Sequence, residues 1–84
     1  MQETLYFVEI KKNGEVSFSS DQMTDSEIQD KMTEIFGLAV IGFTAQWYAA
    51  KIEGDGVVKS LRTKCNLWSD GNGPNLYEIE VTKV

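Results

Sequence analysis

The sequence predicts an α+β fold, in which one helix packs across one face of an antiparallel sheet of four to five strands. Three observations lead to this prediction. One amphipathic helix has clear start and stop signals, a hairpin signal stands on either side of it, and the last nine residues alternate between apolar and polar side chains. The predicted order is β-β-α-β-β-β, and residues 1–84 make one two-layer domain.

The first predicted element is a hairpin whose strands flank the Asn-Gly pair at residues 13–14. A two-residue turn at that pair divides the apolar side chains of the hairpin between both faces of the sheet. A three-residue loop, with the glycine as a left-handed bulge, instead pairs Ile10 with Val16. It also pairs Val8 with Phe18, so four apolar side chains share one face. We therefore predict the bulged hairpin.

The clearest predicted element is a helix within residues 23–38. Thr24 is a favourable N-cap, and Glu27 completes a capping box, in which each side chain accepts a hydrogen bond from the backbone amide of the other residue. Gly37 can adopt the left-handed conformation that ends helices. At about 100° per residue, an apolar sector lies opposite an acidic one. The apolar sector holds Ile28, Met32, Ile35 and Phe36, and the acidic one holds Glu27, Asp30 and Glu34.

The chain after this helix is predicted to form β-structure. A short continuous apolar run is typical of a buried strand, a glycine-rich turn indicates a second hairpin, and clean alternation indicates a half-buried last strand. A turn-rich surface loop precedes that last strand. In chain order these are a strand at residues 38–43, a hairpin at 47–52 and 57–65, a loop at 66–75 and a strand at 76–84.

A helical alternative remains open for the run after Gly37. One 3.6-residue stripe continues from Ile28 to Trp47 if the chain runs straight through Gly37 and Gly42. Each glycine costs roughly 1 kcal/mol inside a helix, so we favour the break. The apolar residues 35–50 fall short of the ~20 needed to span a bilayer, and we expect them in the interior of the domain.

Composition argues against several functional classes. The chain has no histidine, which removes the usual general base near neutral pH and the commonest transition-metal ligand. Its formal net charge of −5 argues against binding to a phosphate backbone. A single cysteine, Cys65, forms no internal disulfide and favours an intracellular setting. We therefore expect a cytoplasmic protein that is not an enzyme, has no cofactor or metal, and binds neither nucleic acid nor a membrane.

Acidic residues are concentrated in the first 36 positions, which hold eight acids and three bases. A charge run of this kind is commonly just the solvated face of a helix. The functional alternative is a docking surface for a basic protein partner, because opposite charge speeds association. An exposed tryptophan at the root of a loop can anchor such an interface. The predicted contact residues are Asp21, Asp25, Glu27, Asp30, Glu34 and Trp68.

Three other interpretations remain open. The loop with Trp68, Asp70, Asn72 and Asn75 is a candidate site for a small ligand or nucleotide, although a bare connector is the simpler interpretation. Three bases near aromatic residues in the second predicted hairpin suggest single-stranded nucleic acid, but they are few for an acidic protein. A homodimer formed through pairing of sheet edges is the third interpretation.

The whole profile is an acidic single domain without histidine, with one cysteine and without a catalytic constellation. It resembles small inhibitor and accessory proteins, including those with which phages occupy the basic nucleic-acid sites of host enzymes. The resemblance rests on composition rather than on a motif. It implies a non-enzymatic binding protein that occludes a basic surface of its partner.

Overall fold

A computed structural model describes residues 4–67 and 73–84. In these residues one antiparallel four-stranded sheet carries a helical layer on one face, which confirms the predicted α+β class. The strand order is β2-β1-β4-β3, so the first and last strands form the centre of the sheet. The elements are β1 (Tyr6–Lys12), β2 (Glu15–Met23), α1 (Asp25–Phe36), α2 (Val40–Glu53), β3 (Ser60–Leu67) and β4 (Asn75–Lys83).

The first hairpin is present, but its register differs from the predicted one. The Asn-Gly pair at residues 13–14 has φ values of 53° and 86° and forms a two-residue turn. Bulges inside β2 then place Phe18 opposite Ile10, and Ser20 opposite Val8. The predicted three-residue loop was wrong, because the bulge lies inside β2 instead of at the turn; it sets Phe18 opposite Ile10 and leaves Val16, opposite Lys11, 57% exposed. It also leaves the favourable Asn-Gly turn intact.

The predicted start and stop of α1 are both confirmed. The Thr24 hydroxyl accepts a hydrogen bond from the Glu27 amide at 3.3 Å, and the Glu27 carboxylate accepts one from the Thr24 amide at 3.0 Å. Gly37, with φ of 56°, follows the last residue of the helix. The apolar face of α1 packs on the sheet through Ile28, Met32 and Phe36, which are buried.

Two of the predicted strands are helical instead. After a 3₁₀ turn at Gly37–Ala39, α2 continues through Gly42 to Glu53, so the segments 38–43 and 47–52 are not strands. The second predicted hairpin does not form, and β3 pairs with β4. The predicted end of α1 at Gly37 was therefore correct. The predicted strands after it were wrong, and the helical alternative was correct for the segment that passes through Gly42.

Packing of two aromatic residues explains this outcome. Helical spacing of four residues puts Phe43 and Trp47 on the same face of α2, where their rings stack with centroids 5.9 Å apart. The ring of Trp47 also contacts Tyr6 edge to face at 5.3 Å. Burial of two aromatic side chains outweighs the roughly 1 kcal/mol that Gly42 costs inside a helix.

The core lies between the helical layer and one face of the sheet. β1 and β4 alternate up to their last two residues, with every second side chain buried. α1 lies on the β2 side, where the ammonium group of Lys31 is 4.6 Å from the ring centre of Phe18. The buried apolar residues are Tyr6, Val8, Ile10, Met23, Ile28, Met32, Phe36, Phe43, Trp47, Val58, Tyr77, Ile79 and Val81.

The prediction that residues 35–50 lie in the interior was wrong for one side of α2. Only Phe43 and Trp47 of this helix are buried, and its outer side is both apolar and exposed. By length and composition alone, the helical stretch Asp25–Glu53 is long and apolar enough to cross a membrane. A core helix of a globular protein passes the same test.

Candidate partner-binding surface

The solvent side of α1 forms an acidic edge, which we define as Glu27, Asp30 and Glu34. All three residues are exposed and lie within one sector of the helix. Lys31 is the base nearest in sequence to the acidic edge, and its ammonium group pairs with the Glu34 carboxylate at 3.1 Å. Within residues 4–67 and 73–84, no base lies at ion-pair distance from Asp30. The acidic edge therefore keeps most of its negative charge.

Asp25 lies on another side of α1 and is engaged by its own chain. The indole nitrogen of Trp47 donates a hydrogen bond to the Asp25 carboxylate at 3.2 Å, and Lys51 pairs with the same oxygen at 3.5 Å. These contacts connect the first turn of α1 to the second half of α2. Burial, and to a lesser degree the charge of Asp25, raises the pKa of the Tyr6 phenol.

The remaining predicted contact residues are not brought together with the acidic edge by any contact in the described residues. Asp21 is exposed on the edge strand β2, and no described base lies at ion-pair distance from it. Trp68 lies outside the described residues, as do Asp70 and Asn72 of the alternative ligand site.

Asn75 is the one described member of the alternative ligand site, and it has a structural contact. Its side chain is 9% exposed and accepts a hydrogen bond from the amide of Asn13 at 2.9 Å. The carbonyl of the same Asn13 side chain accepts a hydrogen bond from the backbone of Leu76, also at 2.9 Å. Asn75 therefore fixes the start of β4 against the β1–β2 turn.

The face of the sheet opposite the helices carries a shallow depression of about 380 Å³ with three acids and three bases. Arg62 pairs with Glu80 at 2.9 Å, and Lys11 lies 3.8 Å from Glu9. Because the bases lie among equal numbers of acids, and Trp47 is in the core, this face gives little support to a nucleic-acid site. Its charged side chains are Glu9, Lys11, Arg62, Lys64, Glu78 and Glu80.

A second surface was missed in the sequence and lies on the outer side of α2 and of the 3₁₀ turn that precedes it. We call it the α2 stripe and define it as Leu38, Ile41, Ala45, Tyr48 and Ile52. The four large side chains are 91%, 71%, 59% and 78% exposed, in that order along the chain. The signal for it is present in the sequence, because the spacings of three, four, three and four residues fit one side of a helix. If the segment is interpreted as strands, these residues do not share one face and the stripe is not predicted.

The described residues provide little catalytic chemistry. In the ranges 4–67 and 73–84, no group of three or more Cys, Asp and Glu side chains is placed to hold a metal ion. Cys65 is half-buried, and burial raises the pKa of its thiol, so little reactive thiolate forms at neutral pH.

No protein-family model, curated protein or solved structure matches this chain. Its function is therefore inferred from the surfaces described above.

Proposed function

We propose that this domain is a non-enzymatic, cytoplasmic protein-binding module that occludes a basic surface of its partner, as an inhibitor or accessory protein does. The observation that carries the proposal is the acidic edge of α1, whose Asp30 has no compensating base in the described residues. Opposite charges on two surfaces speed their encounter and fix their relative orientation.

The acidic edge is held in place before a partner arrives. The capping box fixes the first turn of α1, and three buried side chains hold the other side of the helix on the sheet. Since little conformational freedom remains to be lost on docking, a rigid edge binds at a lower entropic cost than a mobile acidic loop. If the partner binds nucleic acid on its basic surface, the docked domain would cover that surface and prevent the nucleic acid from binding. A phage-type antagonist of a host nucleic-acid enzyme acts in this way.

The test is charge reversal at the acidic edge. The wild-type chain, used as bait in lysate of its native host, supplies the partner, and a titration then compares wild type with Asp30→Lys/Glu34→Lys. We expect the double variant to bind about tenfold or more weakly at low salt, and to lose most of the salt dependence of wild type.

The matched control is Glu15→Lys/Glu53→Lys, which changes the net charge equally at two exposed positions outside α1. We expect it to bind nearly as tightly as wild type. Unchanged binding by Asp30→Lys/Glu34→Lys would overturn the proposal. An equal loss in both variants would also contradict it, because net charge rather than the acidic edge would then be responsible.

A further inference from the structure

The α2 stripe is an apolar surface that no part of the described chain covers. Its four large side chains are mostly exposed, although burial of such side chains is the main driving force of folding and association. Residues 35–50 include no charged side chain. The stripe from Leu38 to Tyr48 therefore lies in a neutral zone of a protein whose formal net charge is −5, and its last member, Ile52, stands between Lys51 and Glu53.

The spacing along the stripe is that of a helix–helix contact. Successive members are three, four, three and four residues apart, which is the repeat of the seam between two packed helices. Gly42, Ala45 and Ala49 are small and exposed on or beside this side of α2. Small residues at a seam let two helix backbones approach closely.

A two-fold axis at Ala45 sets the two inner large residues of the stripe against small ones. Leu38 lies seven residues before it and Ile52 seven residues after it, while Ile41 and Tyr48 lie four before and three after. In a two-fold symmetric contact, each residue meets the residue at the mirrored position of the other copy. Two antiparallel α2 helices that cross at Ala45 would therefore set Leu38 against Ile52, Ile41 against Ala49 and Tyr48 against Gly42, with Ala45 at the crossing point.

We infer that the α2 stripe is the contact surface of a homodimer in which two α2 helices pack antiparallel about Ala45. A second copy is the occupant that fits, because the mirrored positions set the large Ile41 and Tyr48 against the small Ala49 and Gly42. Because the contact zone is neutral, the charges of the two acidic copies stay at the periphery, where salt screens them.

The available area indicates a weak, reversible dimer. A large apolar side chain removes on the order of 100 Å² from water when it is buried, so four of them supply roughly 300–400 Å² per copy. The alanines and the backbone at the crossing add to this. A standard stable interface buries about 800 Å² per partner, so we expect a dissociation constant in the micromolar range or weaker.

A lipid surface fits the stripe less well. Helices that lie on membranes usually carry several Lys or Arg residues on their polar side. The one base of α2 is Lys51, which pairs with Asp25, and an acidic protein is repelled by anionic lipids.

Sedimentation of the full chain from about 5 μM to about 1 mM tests the inference. The weight-average mass should rise from 9.4 kDa towards twice that value. Ala45→Glu places two carboxylates at the crossing point and should keep the protein monomeric. Gln46→Glu makes the same charge change one residue away, about 100° around the helix, and should dimerise as wild type does. Both positions are exposed, so circular dichroism should show an unchanged fold.

A cross-linking experiment reports the geometry directly. In a Cys65→Ser background, mild oxidation should convert Ala45→Cys to a disulfide dimer at least about tenfold faster than Gln46→Cys, because a residue at the two-fold axis meets its own copy. Asp30→Lys/Glu34→Lys should still dimerise, which separates this inference from the proposed function.

Three outcomes would overturn the homodimer. These are a wild-type chain that stays monomeric at about 1 mM, an Ala45→Glu variant that dimerises as wild type does, and equal cross-linking of the two cysteine variants. Binding of a monomeric wild type to phosphatidylcholine vesicles, lost in Ala45→Glu, would assign the stripe to lipid instead.

Discussion

At the scale of single residues, Trp47 joins the helical layer to the sheet. It is 2% exposed, contacts Tyr6 on β1 and donates its indole hydrogen to Asp25 on α1. A buried indole N–H needs a partner, because an unsatisfied donor costs about 1–3 kcal/mol. The carboxylate of Asp25, which sequence reasoning assigned to a docking surface, thus serves the core.

Replacement of Asp25 tests this role. Asp25→Ala leaves the indole of Trp47 without its acceptor and removes the partner of Lys51, so the free energy of unfolding should fall by about 1–3 kcal/mol. Asp30→Ala on the same helix serves as control, since it removes an exposed carboxylate and should change stability by less than about 0.5 kcal/mol. Urea unfolding followed by tryptophan fluorescence measures both. Equal effects would show that helix charge, and not the indole contact, governs stability.

A second residue-scale prediction concerns alkaline pH. Burial and then the charge of Asp25 raise the pKa of Tyr6 above its ordinary value of 10.0, so the folded chain keeps this proton where the unfolded chain releases it. Stability is therefore fully present below about pH 10 and falls as the pH rises through the folded pKa. Tyr6→Phe should flatten this decline, as measured by urea unfolding between about pH 8 and about pH 11. Tyr48→Phe, at an exposed position, should keep the wild-type profile.

At the scale of elements, the sequence predicts α1 well and α2 poorly. The capping box and Gly37 are local signals, and the structure has both. α2 has no such cap and is apolar on both its buried and its exposed side. Periodicity cannot distinguish a helix of this kind from a buried strand, because no polar side marks its outer face.

The two glycines of this region should respond to the same substitution in opposite directions. Gly37 has φ of 56° and ψ of −127°, a conformation that residues with a side chain strongly disfavour. Gly37→Ala should therefore cost about 1–3 kcal/mol of stability. Gly42 is the third residue of α2 and is exposed, and an added Cβ there meets no described atom within 4 Å outside the neighbouring helix backbone. Gly42→Ala should increase stability by about 0.5–1 kcal/mol.

Thermal unfolding of both variants checks this pair of predictions. The informative quantity is the sign of each shift in the midpoint temperature of unfolding, since the chemical change is identical in the two variants. A stabilising Gly37→Ala would mean that α1 and α2 merge into one straight helix without strain. A destabilising Gly42→Ala would mean that the residue is not in a helix, and would favour the strand that the sequence predicts at residues 38–43.

At the scale of the molecule, the candidate surfaces differ in how far they follow from sequence. The acidic edge follows from helical periodicity alone, because charged residues of an amphipathic helix face solvent. The α2 stripe depends on knowing that residues 38–52 are helical. The internal engagement of Asp25 and Asn75 depends on tertiary contacts with Trp47 and Asn13, which no local pattern reveals.

The order of strands predicts an uneven distribution of local stability. β1 and β4 are central and paired on both sides, whereas β2 and β3 are edges. Hydrogen exchange of the amides in β1 and β4 therefore requires global unfolding. The outward amides of β3, which we define as those that point away from β4, open to solvent locally. We expect exchange at those outward amides to be at least about 100-fold faster than in β1.

Native-state exchange measured by NMR at about 10 μM, where a weak dimer has dissociated, is the appropriate experiment. β3 is the more regular edge of the sheet, since β2 is interrupted by two bulges, and bulges discourage pairing with another strand. If the outward amides of β3 proved as strongly protected as those of β1, another strand would have to cover this edge. The copies would then associate through their sheets, and the stripe on α2 would remain exposed in the assembly.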